Sequence, residues 1–241
     1  MNPRNYRRIT TGERVRLEAL MEKNILDGIS DIVRETTDWL STPEAGAFFM
    51  ERQGLVNQFF RESGIHDRWE AIIAERAARG ADIAEQVYKY AREVNAEDVI
   101  EYVGREKQIL NNICDNQYEL VVNVTQQEVA GIRHCILEDV AAGVNPRQTS
   151  LREVQLEPIN GWSPEQRAVV ISRTETARCI NSATLEQYRN DGITMVELLT
   201  TDPCPECEEI AASPVPIDQA IEIGVVHPNC RCSWVAVIPE V

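Results

Sequence analysis

The sequence predicts an α+β protein: a mainly helical N-terminal body followed by a small C-terminal module of one helix and short strands. Three observations predict it. Through residues 13–140 apolar side chains recur at a spacing of three to four, the period of a helix with one buried face. After Gly192 the pattern changes to short, apolar, β-prone runs at residues 193–200, 215–217 and 232–238. Between and beside those runs lie Cys204, Cys207, His227, Cys230 and Cys232, whereas the other cysteines, Cys114, Cys135 and Cys179, are scattered.

Residues 1–16 carry Arg4, Arg7, Arg8, Arg14 and Arg16 against a single acid, Glu13, and read as a basic arm. Residues 17–145 form the expected helical domain. Leu17, Leu20, Met21, Ile25, Ile29, Ile32, Val33 and Leu40 place one amphipathic helix over residues 13–40. Ser41-Thr42-Pro43 then breaks the chain and opens a second helix over residues 43–62, with proline at its first helical position. Two shorter helices, 67–79 and 81–94, are expected on either side of Gly80, with Trp69, Ile72 and Ile73 buried in the first and Ile83, Val87 and Tyr90 in the second. Residues 96–140 keep the helical period, but the β-branched run 120–124, Gly104 and Gly131 predict at least two helices there, ended by Gly143 and Asn145-Pro146.

A short helix opens at Ser150-Leu151-Arg152-Glu153. The following loop, with Pro158, Asn160 and Gly161, marks the expected boundary region of a C-terminal module, residues 146–241. Ser163-Pro164-Glu165-Gln166 supplies a cap, a first-position proline and a glutamine at N3 for the next helix, which Asn190-Asp191-Gly192 stops.

Charge narrows the function classes. The net charge is −15, and residues 162–241 hold five arginines and no lysine against twelve acids. A module of that sign repels a phosphate backbone, which disfavours a DNA-reading zinc finger. No run approaches the roughly 18 apolar residues of a membrane span. The basic start lacks the apolar stretch of a secretory signal, and the scattered free cysteines point to a reducing compartment.

Cys204-Pro205-Glu206-Cys207 places two thiols on one turn, and His227-Pro228-Asn229-Cys230 repeats the spacing. Together they supply four ligands for a tetrahedral Zn2+, with Cys232 as a spare or competing fifth. A disulfide cluster is the main alternative. A thioredoxin-type redox pair requires a βαβ context and a helix opening on the motif; Glu208, Glu209, Pro214 and Pro216 predict no such helix. Mostly thiolate ligands favour a closed structural site over a catalytic one with an open position. The expectation is one structural zinc per chain, Cys230 being preferred to Cys232 as the fourth ligand. His66 and His134 are isolated and read as surface or packing residues.

Arg173-Thr174-Glu175-Thr176-Ala177-Arg178 on a helix, Gly192 and a strand, Cys204-Pro205-Glu206-Cys207, Pro216-Ile217-Asp218 and then His227-Pro228-Asn229-Cys230-Arg231-Cys232 resemble, in that order, the C-terminal module of phage head morphogenesis proteins, the minor head proteins typified by Mu protein F. The resemblance covers residues 145–238, with one departure: Ala211-Ala212-Ser213-Pro214 stands where an Asp-Gly-type turn is expected. It implies a minor capsid protein of a tailed phage or prophage, made in the host cytoplasm and carried in the virion, in the capsid interior or at the portal vertex. Its implied partners are the portal protein, the major capsid protein and further copies of itself, with no sequence-specific nucleic acid and no membrane.

The same family has been compared with ADP-ribosyltransferase folds, which implies a second class, a phage toxin or effector. That chemistry needs an arginine, a Ser/Thr motif and a catalytic glutamate. Arg173-Thr174-Glu175 and Glu206-Cys207-Glu208 are the matches, and the latter overlaps the metal turn. With no glycine-rich phosphate loop either, the expectation is an assembly protein with no catalytic residues, in which Arg173 and Glu175 position helix against sheet.

Overall fold

The computed structural model describes residues 11–45, 62–93, 104–142, 162–200 and 203–237. Among the described residues four long helices come first: α1 (Thr11–Leu40), α2 (Ile65–Glu93), α3 (Gly104–Ala141) and α4 (Pro164–Asn190). A small module follows, in the order β1 (Met195–Leu199), α5 (Pro205–Ala211), β2 (Val215–Pro216), α6 (Ile217–Ile223) and β3 (Ser233–Ala236). This is the α+β class with a helical body. No helix among the described residues is long and apolar enough to cross a membrane.

Two expected helix breaks do not occur. α2 runs unbroken through Gly80, which is buried, and α3 is one rod of 38 residues through both Gly131 and the β-branched run. The cost of one glycine, about 1 kcal/mol, or of a few valines is small beside the burial of a whole helix face. Val121, Val124 and Thr125 all lie on the buried face, and the Thr125 hydroxyl donates to the Val121 carbonyl at 2.7 Å. The break after Leu40 is present, and residues 43–45 are again helical. The rest of the expected 43–62 helix, most of the arm at residues 1–10, the helix at Ser150 and the boundary loop lie outside the described residues.

The chain divides into two compact units, one of Met1–Glu22, Ala81–Gln117 and Val169–Val241, the other of Lys23–Gly80 and Tyr118–Ala168. The division therefore falls inside each of the four long helices, and each unit draws on both sides of the expected 145/146 boundary. Residues 11–16, expected in a basic arm, are helical and open α1.

In the Lys23–Gly80 and Tyr118–Ala168 unit, Ile32, Trp39, Ile65, Trp69, Ile73, Ile132 and Ile136 form the core. Trp69 is 1% exposed, and its indole N–H donates to the Thr36 hydroxyl at 2.9 Å, which in turn donates to the Ile32 carbonyl. The buried tryptophan thus loses no hydrogen bond on leaving water. Gly28 marks a close approach: a Cβ there would meet Cγ of Arg76 at 3.1 Å, so that side chain would have to give by a few tenths of an ångström. Arg76 pairs with Asp31; burial opposes ionisation of that carboxyl, but the bond and charge of Arg76, helped by Arg34, hold it below its ordinary value.

The other unit has two cores. One joins Met21 of α1 and Val87 and Tyr88 of α2 to Leu110 and Ile113 of α3 and Cys179, Ile180 and Ala183 of α4. Buried Arg92 binds Glu106 and Gln187 and so ties α2, α3 and α4 together. The second core lies under the sheet, whose order is β2-β1-β3 with β1 antiparallel to both neighbours. Val196 and Leu198 face inward and Glu197 and Leu199 outward, the alternation of a half-buried strand. Pro216 sits on a sheet edge, where a missing N–H is tolerated.

Replacing Trp69 by alanine removes a fully buried indole and leaves Thr36 without its donor. We expect a loss of about 3–5 kcal/mol in urea unfolding. A loss below about 1 kcal/mol would mean that this cluster is not the packed core described.

Candidate metal centre

The two cysteine-bearing corners are built differently from one another. Ser163 and Gln166 make the expected reciprocal cap at the start of α4: the Ser163 N–H donates to Gln166 Oε1 at 2.9 Å and the Gln166 N–H to Ser163 Oγ at 3.3 Å. Gly192, at φ 79°, ends that helix, with the Ile193 N–H on the Tyr188 carbonyl at 2.9 Å and the Gly192 N–H on that of Arg189, a Schellman closure. The reversal leads into β1, and the first corner begins at Cys204, five residues beyond Leu199 at the end of that strand.

That first corner is a helix start rather than an isolated turn. Cys204 is the residue before α5, Pro205 its first residue, and the Glu208 N–H closes the first turn on the Cys204 carbonyl at 3.0 Å. The sequence reading expected no helix here; seven residues suffice for one because Pro205 occupies a position whose N–H has no helical partner. The redox alternative thus gains the helix it lacked. It still lacks a βαβ context, since the sheet is antiparallel throughout.

The second corner is a tight turn. Pro228 and then Asn229 at φ 66° occupy its central positions, and the Cys230 N–H closes it on the His227 carbonyl at 3.2 Å. Proline presets the first φ and asparagine tolerates the left-handed second one. Cys232 lies two residues further on, where the chain enters β3.

All five side chains meet. His227 Nε2 lies 3.3 Å from Cys204 Sγ and 3.2 Å from Cys207 Sγ, and the sulfurs of Cys207 and Cys230 are 3.8 Å apart. The ligand atoms of Cys204, Cys207 and His227 lie within 4.8 Å of one another, as do those of Cys207, Cys230 and Cys232. Cys207 is the shared vertex. The cluster could hold a metal ion. None of the seven cysteines forms a disulfide, and Cys114, Cys135 and Cys179 are not part of this group. His66 and His134 stand apart, each beside a glutamate four residues on.

The imidazole is oriented for this role. Its Nδ1 is 2.8 Å from the Pro228 carbonyl. A carbonyl only accepts, so Nδ1 carries the proton and Nε2 turns its lone pair to the sulfurs, the arrangement that fixes a metal-binding tautomer. The same bond, opposed by burial and aided by Cys204, raises the imidazole pKa.

The thiols differ in acidity. The Cys207 N–H at the helix start, with that of Glu206, holds the Cys204 thiol below its ordinary value despite some desolvation. Burial first, then hydrogen bonds with Cys232, Cys204 and Cys230, push Cys207 far up. Outside the cluster, burial raises Cys114 to about 11 and Cys179 further.

Side chains from two long helices support the second corner. The Asn229 N–H donates to Thr174 Oγ1 at 2.9 Å, and Arg173 donates to Asn229 Oδ1 at 3.2 Å. Asn181 donates to the carbonyls of Gly224 and Cys232, at 3.1 and 3.5 Å. Arg14 of α1 donates to the carbonyls of Arg231 and Cys230, at 2.9 and 3.2 Å. Sequence reasoning singled out Arg173 and Thr174 but missed Asn181 and Arg14, which are 51 and 216 residues from the cysteines they serve. Glu175 does not touch the corner; it is buried, burial raises its pKa, and Arg178 at 3.2 Å offsets part of the rise.

In metal-free protein at neutral pH, Cys204 should alkylate first with iodoacetamide, because a lowered thiol pKa leaves more thiolate as pH falls. Peptide mass spectrometry reads the order; Cys114 or Cys179 reacting ahead of Cys204 would contradict the environment described. No protein-family model, curated protein or solved structure matches the chain, so a functional reading starts from these donors and the elements that carry them.

Proposed function

We propose that the protein is a structural, assembly-type component of a tailed-phage head, a minor head protein whose C-terminal module is folded around one zinc ion. One observation carries the reading: His227 Nε2 meets the sulfurs of Cys204 and Cys207, and Cys207 meets that of Cys230, at 3.2–3.8 Å, so two corners 20 or more residues apart in sequence join at the shared thiol Cys207. Soft thiolates with imidazole suit zinc among the common ions. A tetrahedron with Zn–S of about 2.3 Å and Zn–N of about 2.0 Å has S···S edges of roughly 3.8 Å and S···N edges of roughly 3.5 Å. The observed 3.8, 3.3 and 3.2 Å match three of the six edges of such a site within a few tenths of an ångström. Cys204, Cys207, His227 and Cys230 are the ligands, and Cys232 is the spare thiol.

Zinc, when bound, supplies a cross-link that a sheet with strands of five, two and four residues lacks. The site is closed by protein ligands, which favours a structural role over a catalytic one. Glu206 and Glu208 are exposed on either side of Cys207 on α5, the helix that Cys204 precedes, so the Glu-x-Glu match lies on the metal corner itself, which favours a structural role for this stretch over a nicotinamide site. For the head assignment, the support is that the motifs shared with head morphogenesis proteins act as one unit: Arg173 and Thr174 hold Asn229, and Gly192 turns the chain into β1.

Protein purified under reducing conditions should contain one zinc per chain by elemental analysis. Cys207→Ser, which removes the shared vertex, should abolish uptake, while Cys232→Ser should keep it at one. Protein without zinc, or a Cys207→Ser variant that retains it, would end the metal reading.

The head assignment is tested by co-expression with the portal protein of the same genome, where the chain should sediment with the portal rings. Sedimentation of the chain apart from intact rings would count against it.

A further inference from the structure

α1 reaches the metal corner chiefly through Arg14, whose side chain makes three directed bonds. Arg14 Nε donates to Glu18 Oε1 at 3.1 Å, Nη1 to the Arg231 carbonyl at 2.9 Å and Nη2 to the Cys230 carbonyl at 3.2 Å. The guanidinium is planar and its donors are fixed relative to one another. Gripping two consecutive carbonyls therefore fixes the peptide between Cys230 and Arg231, and with it the directions in which the Cys230 and Cys232 side chains leave the backbone. Glu18 is buried one turn further along and holds the guanidinium in place. Its second oxygen lies 3.9 Å from both Arg173 Nε and Arg231 Nη2, so one buried carboxylate gathers cations from α1, from α4 and from the metal corner itself.

We propose that Arg14 and Glu18 are positioning residues of the metal centre, and that ion binding and the docking of the first turns of α1 form one linked equilibrium. The proposal rests on the zinc reading above. Without the ion the Cys230–Arg231 backbone is free to move, and Arg14 loses two well-placed acceptors. Without Arg14 the sulfurs of Cys230 and Cys232 lose their fixed direction. Linkage makes the two effects equal in free energy. The ion then acts as a latch, its presence deciding how firmly residues 11–22 are held.

The test uses the full chain and zinc chloride. Zinc affinity is measured by competition with a metallochromic chelator for wild type, Arg14→Gln, Arg14→Lys and, as a distant comparison, Arg34→Gln. Arg14→Gln and Arg14→Lys should weaken binding by about 10–100-fold, as loss of an outer-shell partner does, and Arg34→Gln should leave it unchanged. Urea unfolding of each metal-free variant separates positioning from plain stability, because a purely structural arginine would lower metal-free and metal-bound stability equally and leave affinity alone.

In wild type, removing zinc should speed amide hydrogen exchange across residues 11–22 but not across residues 25–40. This measurement decides the matter by itself if an Arg14 variant fails to fold. Affinity within about twofold of wild type in the folded Arg14 variants, or unchanged exchange over residues 11–22, overturns the linkage. Wild type that takes up no zinc overturns the metal reading instead, so the two failures are distinguishable.

Discussion

Five side chains pressed together around Cys207 are the constraint on which the C-terminal module depends. Thiols and an imidazole packed at 3.2–3.8 Å make a poor core of their own, since they offer little apolar area and need partners for their polar atoms. They nonetheless sit where the core of a larger sheet would be, beside Leu185, Leu198, Ile217 and Trp234. A metal ion held there would turn that awkward packing into a cross-link between the start of α5, the turn after α6 and the entry to β3.

The helix behind the sheet is shaped by the same demand. α4 buries Ser172, Glu175, Thr176, Asn181, Glu186 and Gln187, an unusual load for a helix interior. Buried polar groups persist where they are hydrogen-bonded, and Asn181, with half-buried Thr174 beside it, bonds to backbone that has no ladder partner. Asn181 reaches Gly224 and Cys232, Thr174 takes the Asn229 N–H, and Trp234 Nε1 donates to Gly224 at 3.0 Å. The irregular chain between α6 and β3 is satisfied by side chains instead of by strands. That leaves a corner firm enough to aim two cysteines.

Charge follows a similar logic. The chain is strongly acidic overall, yet Arg14, Arg173 and Arg231 gather around Glu18 at the edge of the metal corner. Three cations share one buried carboxylate, and Arg14 and Arg173 also donate to carbonyl and amide oxygens of that corner. The arginine-rich start of the sequence therefore contributes at least one residue to internal architecture, which a reading by composition alone assigns to an outside partner.

The donors and the most strongly signalled elements were legible in the sequence. Helical periodicity placed α1 and α4, the Ser163–Gln166 cap and Gly192 bounded α4, and Cys-x2-Cys, His-x2-Cys and the adjacent Cys232 named every member of the cluster, because each of these signals is local and needs only neighbours within a turn or two. Only the tertiary structure decided the rest. Gly80 and the valines of α3 stayed helical because burial of a whole face outweighs a local preference. α5 formed on the first corner, against expectation. The compact units cut across the expected boundary, and Arg14 and Asn181 joined the metal corner from far along the chain. Those outcomes depend on which surfaces meet after folding, and contacts across 51 or 216 residues leave no periodic mark in the sequence for a local rule to find.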